Sequence, residues 1–115
     1  MQLTDQALEL VAARFRSLGE PLRLRILRLL EKGEMSVGQI VQRLQSSQAN
    51  VSKHLKVLVG AGVLARRVQG TSAYYSICDP VILKICDTVC QGLEENLRSQ
   101  AEGLGFRLAP KRRAR

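Results

Sequence analysis

The stretch from Ser36 to Ile77 reads SVGQIVQRL, QSSQ, ANVSKHLKVLVGAGVL and ARRVQGTSAYYSI. Val37, Ile40, Val41 and Leu44 recur at helical spacing, and so do Val51, Leu55 and Leu58, which predicts two short helices facing one core. Ser36 caps the first of them. Ser46 or Ser47 caps the second by accepting from amide hydrogens left unsatisfied in its first turn. Gly60 and Gly62 close that second helix. The segments Val63 to Val68 and Ser72 to Ile77 then suit strands, and Gln69-Gly70-Thr71 makes the turn between them, with Gly70 free to take positive φ. The expected order is helix, tight turn, helix, two-stranded hairpin: a helix-turn-helix followed by a wing.

The outer face of the second helix carries the functional signal. Gln48, Ala49, Ser52, Lys53 and Lys56 are small, hydrogen-bonding or cationic. Such a face fits the major groove of duplex DNA, where base edges present donors and acceptors. The first turns of the second helix reach the bases in motifs of this kind. Gln48, Ser52 and Lys53 are therefore candidates for base edges or nearby phosphate, Ser47 and Ala49 share that surface, and Lys56 lies a turn deeper, where phosphate is the partner. His54 borders the apolar stripe and reads either as a packing residue or as a phosphate donor. Arg66 and Arg67, beside Gly70 at the hairpin tip, are placed to reach a phosphate or the minor groove. The competing reading is a solvated helix and a solvated edge strand, on which arginine serves solubility. The flanking elements favour DNA, because structural context is what lifts a motif above chance.

Charge agrees. The chain has 115 residues and a net charge of +8. Residues 35–78 hold Arg43, Lys53, Lys56, Arg66 and Arg67 and no acid, the footprint of a polyanion-binding face. With two Tyr, two Phe and no Trp, single-strand binding by base stacking is disfavoured. One His, no nucleophile–base spacing and no phosphate-cradling glycine loop argue against an enzyme. No stretch has the continuous apolar length of a membrane span, and the first residues lack a signal-peptide core, so a cytoplasmic protein without membrane attachment is expected. Three cysteines in a reducing compartment do not make a disulfide framework.

The remaining elements extend the same plan. Thr4 caps a first helix whose apolar face is Leu8, Val11, Ala12, Phe15 and Leu18, ended by Gly19. Pro21 opens a second helix and Gly33 stops it. Asp79-Pro80 begins a last helix that runs to about Ser99 or Gln100, with Ile82, Cys86, Val89, Leu93 and Leu97 as its stripe. A domain this small has little core left for that stripe, so it is expected to pack on another subunit together with the first helix. The expectation is a mainly α chain of five helices with a small β-hairpin, one domain over residues 1–102, and a basic, disordered tail over residues 103–115.

These residues resemble a known family. Leu18-Gly19-Glu20-Pro21-Leu22-Arg23-Leu24-Arg25-Ile26-Leu27 is similar to the LG(D/E)PxRLRIL signature of ArsR/SmtB winged-helix repressors. Ser47 to Leu58 is similar to its SQxxVSxHLKVL recognition helix, and Ala61-Gly62-Val63-Leu64, Gly70 and Tyr74-Tyr75 are similar to its wing pattern. The resemblance spans about residues 5–100. It implies a homodimer joined by the first and last helices, and a bacterial repressor that leaves an inverted-repeat operator when an inducer binds.

The inducer sites of that family carry over only in part. The ELCVCDL thiols of arsenic and cadmium sensors are absent from Glu34 to Ile40, and the last helix has no His for a zinc site. The persulfide sensors pair a cysteine of the second helix with one of the last, and the second helix here has none. Cys86 and Cys90 remain, four apart on one helix face, with Cys78 at the end of the wing. Two thiols at i and i+4 have β-carbons roughly 5–6 Å apart, too far for an unstrained disulfide but suited to a bridging soft atom such as trivalent arsenic, or to an inserted sulfur chain. No cofactor is expected to be required, with As(III) or another thiophilic ion as the candidate inducer. The alternatives are cysteines that only pack in a core, as free Cys commonly does, and a nucleic-acid-associated interaction module without an inducer.

Overall fold

The structure is a computed structural model that describes residues 2–106. Its elements are α1 (Asp5–Leu18), α2 (Pro21–Leu30), β1 (Met35–Ser36), α3 (Val37–Leu44), α4 (Gln48–Gly60), β2 (Leu64–Gln69), β3 (Ser72–Ile77) and α5 (Val81–Gly103). The chain divides into two compact units, one ending at Pro80 and the other starting at Val81.

Helix starts in the first unit follow local chemistry. The Thr4 hydroxyl accepts from the Ala7 amide at 3.1 Å. Glu20 caps α2 through its carboxylate, which accepts from the Leu22 amide, and Pro21 stands where a missing N–H is harmless. At α3 a reciprocal box forms: Ser36 Oγ accepts from the Gln39 amide at 3.2 Å, and Gln39 Oε1 accepts from the Ser36 amide at 2.9 Å. Ser47, rather than Ser46, caps α4 by accepting from the Asn50 amide at 3.1 Å. Between α3 and α4 the chain reverses through Gln45, the one non-glycine residue with positive φ (52°) among those described.

The core of this unit is built from α2 (Ile26, Leu27, Leu30), α3 (Ile40), α4 (Val51, Leu55, Leu58) and the residues entering the wing (Val63, Leu64). Helix α4 lies at its centre, against α2, α3 and β2. Helix α1 touches α2 and α4, and its buried residues, Ser17 and Leu18, lie in its last turn. Its residues Leu8, Val11 and Phe15 stay exposed.

The wing has three antiparallel strands in the order β1-β3-β2, where two were expected. The additional strand is the pair Met35–Ser36, which faces Tyr75 and Tyr74. Two residues carry no readable alternation, and one of them already serves as the α3 cap. Gln69 pairs with Ser72, so the turn shrinks to Gly70-Thr71, with Gly70 at φ 62°.

The second unit is α5, which continues to Gly103, past the expected end at Ser99 or Gln100. Val89, Leu93 and Leu97 along it are exposed. The basic tail falls mainly on residues 107–115, outside the described residues. No described helix is long and apolar enough to cross a membrane.

Leu55 is fully buried, whereas Ser52 on the same helix is exposed. Leu55→Ala is expected to lower the unfolding free energy by about 2–5 kcal/mol, and Ser52→Ala by no more than about 0.5 kcal/mol. Urea denaturation at one fixed protein concentration measures both.

Candidate nucleic-acid interface

Burial of Val51, Leu55 and Leu58 fixes the rotation of α4 about its axis. Gln48, Ala49, Asn50, Ser52, Lys53 and Lys56 are all exposed as a result. Two ammonium groups and several neutral hydrogen-bonding groups share one convex surface that no acid interrupts. Ser47 sits at its edge, its oxygen accepting from the first turn and its O–H still able to donate. Asn50, absent from the candidates above, belongs to the rim of this face, and its side-chain amide donates to Ser46 Oγ at 3.2 Å.

His54 departs from that face. It is only 7% exposed, and its Nε2 lies 3.7 Å from Glu20 Oε2. Its burial is what the packing reading describes, and the imidazole lies beside the Glu20 carboxylate at the start of α2. Its position next to Leu55 puts it on the flank of the apolar stripe, and the carboxylate beside it comes from a distant cap.

The two wing arginines part ways. Alternation along a strand sends neighbours to opposite faces. Arg66, paired in register with Tyr75, donates from Nε to the Tyr75 hydroxyl at 3.2 Å and remains exposed. Arg67, expected at the DNA, is held by the protein itself. Its Nε and Nη2 donate to Glu34 at 2.8 and 2.6 Å, its Nη1 donates to Gln69 at 2.6 Å, and its guanidinium stacks 4.6 Å from the Tyr74 ring centroid. The fork is closed on a carboxylate in the bidentate geometry that guanidinium favours. Sequence reasoning missed Glu34 because its partner is remote in the chain. Gly70 is exposed at the apex of the turn, with open space around the position a β-carbon would take.

Hydrogen bonding from Arg67, aided by its charge and opposed by desolvation, holds the Glu34 carboxyl below the ordinary carboxylate range. The same bond pushes the Arg67 guanidinium further up.

The cysteines are thiols without disulfides. Cys78 is exposed and its Sγ–H donates to the Gly62 carbonyl at 3.3 Å. In the second unit Cys86 is half-buried and Cys90 exposed, on α5. Among the described residues no three or more His, Cys, Asp or Glu gather as a metal-binding group.

Comparison with known proteins places this geometry. Residues 18–67 match a family model described as a helix-turn-helix domain. The chain is 39% identical over 82 residues to the uncharacterized HTH-type transcriptional regulator MJ1325 of Methanocaldococcus jannaschii, covering 70% of this chain and 92% of that protein. It is 38% identical over 66 residues to a probable mercury resistance operon repressor of Streptomyces lividans, covering 57% of this chain and 53% of that protein. Among solved structures it is similar to the homodimeric winged helix-turn-helix DNA-binding domain Mb0332 of Mycobacterium bovis, a possible ArsR-family regulator, with TM-score 0.73 and 28% identity over 84% of this chain and 92% of that one. The winged helix-turn-helix fold and these relatives define a DNA-binding transcriptional regulator. The chain belongs to the ArsR/SmtB family of such regulators.

The Glu34–Arg67 pair sets a pH dependence whose sign is fixed. A carboxyl with a lowered folded-state pKa contributes stability above its unfolded pKa and loses it as pH falls through the folded value. Carbon-detected NMR titration is expected to give Glu34 a midpoint below the ordinary range in the parent and a higher one in Arg67→Ala. Protection of wing amides should fall in that same acid window in the parent alone.

Proposed function

We propose that this chain is a repressor that binds an inverted-repeat operator as a homodimer and leaves it when a thiol-directed inducer acts on Cys86 and Cys90. The exposed face of α4 carries the reading. Gln48, Ala49, Ser52 and Lys53 meet base edges or adjacent phosphates in the major groove, Lys56 meets phosphate, and the wing braces the duplex through Arg66 and Gly70.

A twofold partner is supported by what the chain leaves uncovered. Leu8, Val11 and Phe15 on α1 are exposed, as are Val89, Leu93 and Leu97 on α5. Regular apolar faces of this kind mark association surfaces, and the mycobacterial relative is homodimeric. Inducer release is supported by the thiols themselves. Cys90 is exposed and Cys86 only half-buried, so neither fills the core of its own chain. The relative named for mercury resistance points to a thiophilic ion, and a pair of thiolates suits such ions or reactive sulfur.

The test is fluorescence anisotropy with a duplex selected by the protein from a randomised pool. Lys53→Ala is expected to weaken binding by about 1–3 kcal/mol and to relax preference at the contacted position. Mercuric ion, arsenite or polysulfide should release the parent from this duplex. If Cys86→Ser/Cys90→Ser is released as readily as the parent, the sensing assignment fails while the DNA reading stands.

A further inference from the structure

A second cationic surface lies outside the recognition face. Between the end of α2 and the outer side of α3 the surface forms a groove of about 550 Å³. It is lined by Arg28 from α2, by Lys32 just past its end, and by Gln39, Gln42 and Arg43 from α3. Its single acid, Glu34, has both oxygens engaged by Arg67. Among the described residues no ion pair engages Lys32 or Arg43, while Arg28 bonds to Glu31.

The neutral side chain beside them is biased in the same direction. Gln39 commits its carbonyl oxygen to the Ser36 amide in the α3 capping box, which leaves its NH₂ as the outward group. Ammonium, guanidinium and amide N–H all donate. A groove that offers donors and positive charge complements a ligand made of acceptors and negative charge.

We propose that this groove grips the phosphates of the duplex flanking the bases that α4 reads, with Lys32 and Arg43 as the charged contacts and Gln39 as a neutral donor. The proposal rests on the DNA reading above and extends it to sequence-independent footing. The argument for backbone over a small anion is continuity. Helix α3 passes through Gln45, Ser46 and Ser47 directly into α4, and the first helix of a helix-turn-helix crosses the backbone beside the groove that the second one enters.

The experiment uses full-length protein and two forms of the selected duplex, one with ten flanking base pairs on each side and one trimmed to the recognised core. Each phosphate contact steepens the fall of log K with log salt by about 0.9. Lys32→Gln/Arg43→Gln is therefore expected to flatten the slope by about 2 per protomer on the long duplex. Sequence preference and circular-dichroism melting should be unchanged, and on the trimmed duplex variant and parent should converge. An unchanged slope on the long duplex overturns the proposal. So does displacement of the long duplex by inorganic phosphate beyond that caused by chloride at equal ionic strength, since the groove is then a small-anion site. A parent that shows no sequence preference for any duplex sinks the DNA reading itself, a result separate from either of these.

Discussion

Complete burial of Val51, Leu55 and Leu58 is the constraint from which the rest follows. Each such side chain contributes up to about 1.5–3 kcal/mol relative to exposure, and all three lie on one side of α4. Turning the helix to bring Lys53 or Lys56 inward would expose this stripe and strand a charge in the core. Core packing and a solvent-facing cationic surface are thus two sides of one helix, and neither is available without the other. The contacts of α4 with α2, α3 and β2 make the same helix the hub of the first unit.

Local signals made most of the fold readable. Thr4, Pro21, Ser36 and Ser47 act on residues within one turn of themselves, so their sequence positions already state where the helices begin. Three features that escaped depend on distant partners. Strand β1 exists because Met35 meets Tyr75. Its own two residues hold no period. His54 is buried beside Glu20, and Arg67 is captured by Glu34. Counting charges along the chain leaves Arg67 unpaired, because a linear count cannot see a carboxylate that folding brings alongside. The same limit applies to the apolar faces of α1 and α5: the excess of Leu, Val and Phe is visible in the sequence, while what covers it is not written in a single chain.

The wing shows how adjacent residues of one type take unlike roles. Arg66 and Arg67 are chemically identical and one peptide apart, yet the pleat sends them to opposite faces of the sheet. Arg66 is steadied by a neutral phenol and keeps its charge toward solvent. Arg67 bonds with a carboxylate and an amide, lies against an aromatic ring, and so fastens β2 to the loop before β1.

The reversal at Gln45 bears on how such a molecule diversifies. A side-chain-bearing residue at φ 52° carries a strain of about 1 kcal/mol or more that glycine would relieve. Glycine would also reach many more backbone states, and the angle between α3 and α4 would loosen. Retaining glutamine keeps the joint stiff, so the outward residues of α4 are presented at one fixed pitch. Amino acids on that surface are then free to drift or be redesigned, like interchangeable type in a rigid frame, without disturbing the hinge that aims them.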